Sequence, residues 1–215
     1  MVELPDGQRR PTRAAAATLY SLRLGSLIPV VFFATTFICG FILGNYNHLH
    51  RLVSELGALG TKSQHVFSAG LVLCAALSVP FFIGLYRTCR AIGISAIPVI
   101  PLFSYSVSIA GAGIFPLPLR LHLIMGMPSM LMILSPMLRL LLWSRTRRLP
   151  HVKQMSLVAL LVMALGFLAF IPEILGGYPG LKQRFFHIGW SIWFFYLSYG
   201  FTKSLQRPIA AADAA

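Results

Sequence analysis

The chain has 215 residues, of which 57% are hydrophobic and only 11% charged, and its formal net charge is +13. Soluble domains average roughly 25% charged residues, so this chain lacks the polar surface to cover a water-soluble globule. Its basic residues sit in short segments between apolar runs and build no continuous basic face, which excludes nucleic acid as a partner and leaves an all-α polytopic membrane protein.

A bilayer core needs about 20 apolar residues per crossing helix. A tail, 1–23, precedes the first such run, 24–44, which no clear A-x-A-like cleavage site follows and which therefore reads as a retained span. In the segment 45–65, Leu49, Leu52, Val53, Leu56 and Leu59 recur at helical spacing until Gly57 and Gly60 fray the pattern. That spacing predicts an amphipathic segment lying on the membrane interface, with Ser54 and Glu55 at its C-terminal end. The second span covers 66–86. The third, 92–114, is broken by Pro98 and Pro101, and its Gly111-Ala112-Gly113 stretch suits close helix approach. The fourth, 121–143, carries Pro128, Pro136 and a methionine cluster at Met125, Met127, Met130 and Met132 that reads as packing. The fifth, 155–171, and the sixth, 185–201, complete a transmembrane domain over 24–201, and a tail follows at 202–215. Trp190, Trp193, Tyr196 and Tyr199 in the sixth read as packing and interface anchors. Of the three cysteines, Cys39 and Cys74 fall in apolar runs and Cys89 in a basic loop, so no disulfide framework is implied.

Six crossings place both termini on one side. Five of the 18 Lys and Arg residues, Arg51, Lys62, Arg120, Lys182 and Arg184, fall on the opposite side. The richer side holds the tails, with Arg9, Arg10 and Arg207, and the loops around Arg87 and Arg145–Arg148. By the positive-inside rule that side is cytoplasmic, so both termini face inwards in a multi-pass cell-membrane protein. Arg139, near the cytoplasmic end of the fourth span, is expected to snorkel.

This topology gathers the rare acids and imidazoles. His48, His50, His65, His122 and His187 fall on the outer side, with Glu55 and Glu173, the two acids outside the tails; His151 falls on the inner side. His65 precedes the second span, and His122 and His187 sit in the first turns of the fourth and sixth, a shared depth at which ionisable groups are costly unless paired, solvated or functional. Ser54, Glu55, His65, His122 and His187 are the candidate catalytic set. Three histidines, His65, His122 and His187, with a carboxylate, suit zinc with an open position; alternatively Ser54 is a nucleophile activated by a histidine. Arg120 and Arg184 are candidates for holding an anionic head group. Each has a plainer reading. His48 and His50 suit the headgroup zone as amphipathic residues, the deeper histidines suit structural hydrogen bonds, Glu173 suits a solvated loop, and Arg51 and Glu55 have the spacing of a local i,i+4 ion pair.

Two blocks carry a family likeness. Val53-Ser54-Glu55-Leu56-Gly57-Ala58, before a span ending Ile83-Gly84-Leu85-Tyr86-Arg87, resembles the domain-of-unknown-function 998 family of prokaryotic membrane proteins. Gly113-Ile114-Phe115-Pro116 followed by His122 resembles that family's second block, and His187 fits a third. The chain is remotely similar to the FRAG/DRAM/SFK group of six-span proteins, some of which act in lipid-anchor remodelling or lipid distribution; Glu55 stands where that group has an Asp. The resemblance implies a six-span fold and the positions Ser54, Glu55, His122 and His187, without a reaction. Membrane lipids are the expected partners. The expected functions are an enzyme acting on a lipid head group or acyl ester, a non-catalytic lipid-binding or scrambling protein, or a structural subunit. The absence of repeats and of midplane charge argues against a small-solute carrier.

Overall fold

The computed structural model describes residues 13–206 apart from 144, 145 and 147. Arg9, Arg10, Arg145, Arg147 and Arg207, which enter the orientation count, lie outside these residues. Six long helices and no strand are found among the described residues. They are α1 (Arg13–Leu43), α2 (Gln64–Ala91), α3 (Ile97–Ile114), α4 (Arg120–Leu142), α5 (Val152–Phe170) and α6 (Pro179–Gln206). The first five have the length and apolar composition to cross a membrane. The 28 residues of α6 span about 42 Å at roughly 1.5 Å per residue. Its apolar surface is largely aromatic and faces the bundle, with Trp190, Trp193, Phe194 and Phe201 almost wholly buried.

The prolines leave their mark where the sequence places them. α3 opens with a 3-10 turn, Ile97–Leu102, at Pro98 and Pro101, and α4 is tightened to 3-10 geometry over Met127–Ile133, beside Pro128. α1 begins eleven residues before its apolar core, so part of the tail 1–23 is helical, and α6 runs on to Gln206 past the expected 201. α2 likewise continues to Ala91, which moves Cys89 from a loop into a helix, fully buried.

The helices run up and down. Early α1 meets late α6 through Ser26 Oγ donating to Ser198 Oγ at 2.8 Å, and Phe32 meets Trp190 with ring centroids 5.3 Å apart. At one end, Leu59 N–H donates to the Leu117 carbonyl at 2.8 Å and Leu181 N–H to the Leu49 carbonyl at 2.9 Å, which ties the α1–α2, α3–α4 and α5–α6 connections together. At the other end, Trp143 Nε1 donates to the Ser95 carbonyl at 2.7 Å and Tyr196 Oη to the Pro150 carbonyl at 2.8 Å. The described chain ends lie at this second end.

Two forces hold the interior. Phe81, Phe82, Tyr105, Trp190 and Phe194 pack edge to face or tilted, with Phe82–Phe194 centroids 5.4 Å apart and Tyr105–Trp190 centroids 4.9 Å apart. Polar groups bridge helices where lipid offers no partner: Ser78 and Ser106 hydroxyls share a hydrogen bond at 2.6 Å, and Trp193 Nε1 donates to Ser135 Oγ at 2.9 Å. Arg139 does not snorkel. It is only 3% exposed, and its Nη1 donates to Ser156 Oγ at 3.3 Å. Large apolar side chains instead cover the outside, Phe41 being 88% exposed, as the lipid-facing surface of a bundle requires.

Close approach without side chains is a third feature. Gly113 sits where an added Cβ would lie 3.1 Å from the Ser68 carbonyl oxygen, and at Gly189 it would lie 2.5 Å from the Met163 amide nitrogen. Both contacts involve backbone, and the one at Gly189 is the tighter, so side-chain movement cannot relieve it. Gly189→Ala is expected to push α5 from α6 and destabilise the protein by about 1–3 kcal/mol. A thermal melt in detergent, compared with Ala112→Gly as a mild control, checks this.

Candidate functional site

The segment after α1 does not lie on the surface as an amphipathic α-helix. It forms a 3-10 turn, Val53–Gly57, that presses Val53, Leu56 and Gly57 into the bundle while Leu49 and Leu59 stay exposed. The reason is local. Glu55 folds back so that its Oε1 accepts the Leu52 N–H at 2.8 Å, while its Oε2 takes the Arg51 Nε–H at 2.8 Å. From α6, the Gln183 side-chain oxygen accepts the Val53 N–H at 2.7 Å; from the start of α2, Ser63 Oγ donates to the Leu56 carbonyl at 2.6 Å. The turn is thus a cap held from two helices.

Arg184 clamps the chain leading into the cap. Its Nη1 donates to the Arg51 carbonyl at 3.1 Å and to the Gly180 carbonyl at 3.0 Å, and its Nη2 to Tyr46 Oη at 3.2 Å and His48 Nδ1 at 2.9 Å. A guanidinium only donates, so His48 Nδ1 must be unprotonated. Desolvation, and then the charge of Arg184, push the His48 pKa below its ordinary value. Gly180 permits this approach, since a Cβ there would strike the Arg51 and His48 carbonyls. His50 ties the cap to the next loop, its Nδ1 donating to the Gly177 carbonyl at 2.6 Å.

Beneath the cap lies a cavity of about 140 Å³. Its apolar walls come from Phe32, Phe67, Leu71, Met132 and Trp190, among others, and its polar lining includes Ser54, Tyr105, Ser108, His122, Gln183 and His187. Among the described residues, no Asp, Glu, Lys or Arg lines it.

Of the five candidate catalytic residues, Ser54, His122 and His187 therefore share one cavity. Glu55 does not line it, because its carboxylate is occupied by Arg51 and the Leu52 amide. His65 is exposed on the first turn of α2 and turns away from it. The expected zinc set of His65, His122 and His187 is consequently not assembled, and no group of three or more His, Cys, Asp or Glu side chains suited to a metal ion is found among the described residues. Nor do the cations form an anion grip as expected. Arg120 is exposed, and Arg184 is spent on the clamp. Glu173 is an exposed loop residue. Lys182, only 3% exposed, donates to the Ile171 carbonyl at 2.9 Å and pins that loop.

The two cavity histidines are in complementary states. His122 Nδ1 lies 2.8 Å from the Phe115 carbonyl, which can only accept, so the neutral ring carries its proton on Nδ1 and leaves the Nε2 lone pair free. His187 Nδ1 accepts from Trp190 Nε1 at 3.2 Å, so its proton sits on Nε2, a buried atom with no partner among the described residues. The hydroxyl of Tyr105 is likewise buried without a sound hydrogen bond. Gln183, Tyr105, Ser108 and Ser129 were not among the sequence candidates. Helical spacing of Tyr105 with Ser108 in an apolar span was the available signal.

The comparisons with known proteins give one match. A family model described as "Protein of unknown function (DUF998)" covers residues 26–199, and the chain belongs to that family. No curated protein and no solved structure matches it. The sequence blocks that carry the resemblance meet here: the first supplies the cap, the second supplies Phe115 and His122, and His187 completes the wall.

The clamp generates a pH dependence. Because the docked cap favours neutral His48, its stabilisation is complete above about pH 6.5, the ordinary histidine value, and is lost as pH falls through the lowered one. Limited proteolysis of the 44–63 segment is expected to accelerate between pH 7 and pH 5. Arg184→Ala, which removes four hydrogen bonds, should destabilise the protein by about 2–3 kcal/mol and flatten that pH dependence.

Proposed function

We propose that this DUF998 member is a lipid-handling membrane protein whose working site is the cavity beneath the Val53–Gly57 cap. The observation that carries the reading is the cavity itself: apolar walls, uncharged hydrogen-bonding groups from α3, α4, α6 and the cap, and a cap that several separate contacts hold in place over it. Such a lining suits the polar end of an otherwise apolar molecule. A volume of about 140 Å³ is many times the roughly 15 Å³ that a single water needs. With more Lys and Arg on the side of the termini, both chain ends face the cytoplasm and the cap faces outwards. Binding, without turnover, is the leading form.

One observation favours a second, hydrolytic reading. Ser54 and the free lone pair of His122 line the same cavity, the two groups that acyl transfer requires. In that form Ser54 Oγ attacks an ester carbonyl, His122 Nε2 takes its proton and returns it to the leaving alcohol, and water releases the acyl group. Ser54→Ala separates the two forms, since it leaves retention of a lipid intact and abolishes ester turnover only if turnover occurs.

Gly126 offers the cleaner test of the site. It lines the cavity, and an added Cβ would meet no atom within 4 Å. Gly126→Leu is therefore expected to fill the cavity without lowering the melting temperature. Native mass spectrometry of protein released from nanodiscs should then show a lipid adduct on the wild type that falls at least about five-fold in the variant. Equal adducts on both proteins would sink the reading.

A further inference from the structure

The cavity presents hydrogen-bonding groups of both kinds. The bond from Nδ1 to the Phe115 carbonyl places a proton on Nδ1 of His122, so in the neutral ring Nε2 is a lone pair. His187 Nε2–H is a donor, fixed by the bond that Nδ1 accepts from Trp190. Neither Nε2 takes a hydrogen bond among the described residues, and that of His187 is buried. Two imidazoles, engaged at Nδ1 by unrelated partners, belong to residues that line one cavity.

Resting on the cavity reading above, we infer that the group bound there is the hydroxyl of a neutral lipid, which donates to His122 Nε2 and accepts from His187 Nε2–H. The alternatives fail on chemistry. A carboxylate or phosphate would face the His122 lone pair with no Lys or Arg in the lining to hold it. An ammonium would find no carboxylate, for Glu55 is turned to Arg51 and the Leu52 amide. An ester or ketone carbonyl can accept from His187 but leaves the lone pair of His122 unanswered. A hydroxyl answers both, and the Tyr105 hydroxyl, buried without a sound partner, stands in the same lining to add a third bond. The apolar remainder of the ligand lies against Phe32, Phe67, Leu71 and Met132.

Leaving a buried donor or acceptor unpaired costs enough to be read as selectivity of about ten-fold. The test is a titration of the purified full chain, in detergent, with 1-monooleoylglycerol, methyl oleate and oleate, followed by native mass spectrometry. The expected Kd for monooleoylglycerol is at least about ten-fold below those for the other two, and Gly126→Leu weakens all binding. In Tyr105→Phe, which in the free protein loses only the hydroxyl's weak contact with the Cys74 thiol, the melting temperature is expected to hold while monooleoylglycerol binds several-fold more weakly. In His122→Phe the preference collapses towards one. The wild-type series decides the matter even if that last variant does not fold. Equal affinities for the three ligands in wild type, with all of them lost in Gly126→Leu, would overturn the hydroxyl assignment and leave the cavity reading standing. Equal affinities that Gly126→Leu does not alter would overturn both.

Discussion

The end of the bundle that carries the site depends on a single guanidinium. Arg184 stands five residues into α6 and donates to two backbone carbonyls, a tyrosine and a histidine. A cation at this depth is costly unless its donors are satisfied within the protein. Apart from the Gly180 carbonyl, its partners come from a segment with no long helix of its own, so satisfying Arg184 and ordering that segment are the same event. Once the chain around Tyr46 and Arg51 is in place, Glu55 and Gln183 fold the next residues into the cap, and the cap closes the cavity. The residue that looked like a grip for an external anion is the one that holds the roof on.

The hydrogen-bonding economy of the lining follows from its surroundings. Charged residues at this end lie in the connections and the first turns of α6, where they find a carbonyl or a carboxylate: Arg51 with Glu55, Lys182 with Ile171, Arg184 with the clamp. The space below keeps only hydroxyls, an amide and two imidazoles, groups that tolerate low dielectric surroundings when neutral. A loop carbonyl engages Nδ1 of His122 and the Trp190 indole engages Nδ1 of His187, which leaves each Nε2 without a partner among the described residues. Such external support is how a site acquires defined donors and acceptors without charge.

Much of this was legible in the sequence, and the boundary of legibility has a physical meaning. Apolar runs near 20 residues long gave the helices, and proline positions marked where α3 and α4 depart from regular helix, because both are local properties of the chain. Depth along each span pointed to His122 and His187, and the Ser-Glu-Leu-Gly block pointed to Ser54; all three line the cavity. Direction around the helix was not legible at the ends, where hydrophobic periodicity is interrupted. His65 shares the depth of the other two yet faces away, so depth alone overcounted the histidines. The ion-pair spacing of Arg51 and Glu55 was visible, and it prevailed over the catalytic reading because a partner four residues away is always within reach. The fate of Arg184 was hidden, since its partners are carbonyls and every residue has one.

A lining with no formal charge has an electrical consequence. Carrying one elementary charge through a membrane potential of 100 mV involves about 2.3 kcal/mol, enough to bias a site towards filling or emptying with the energetic state of the cell. A pocket of neutral imidazoles and hydroxyls that takes a neutral guest displaces no charge along the field. Under the proposed reading, its occupancy is then set by how much guest the surrounding leaflet contains, at rest and in a fully energised membrane alike.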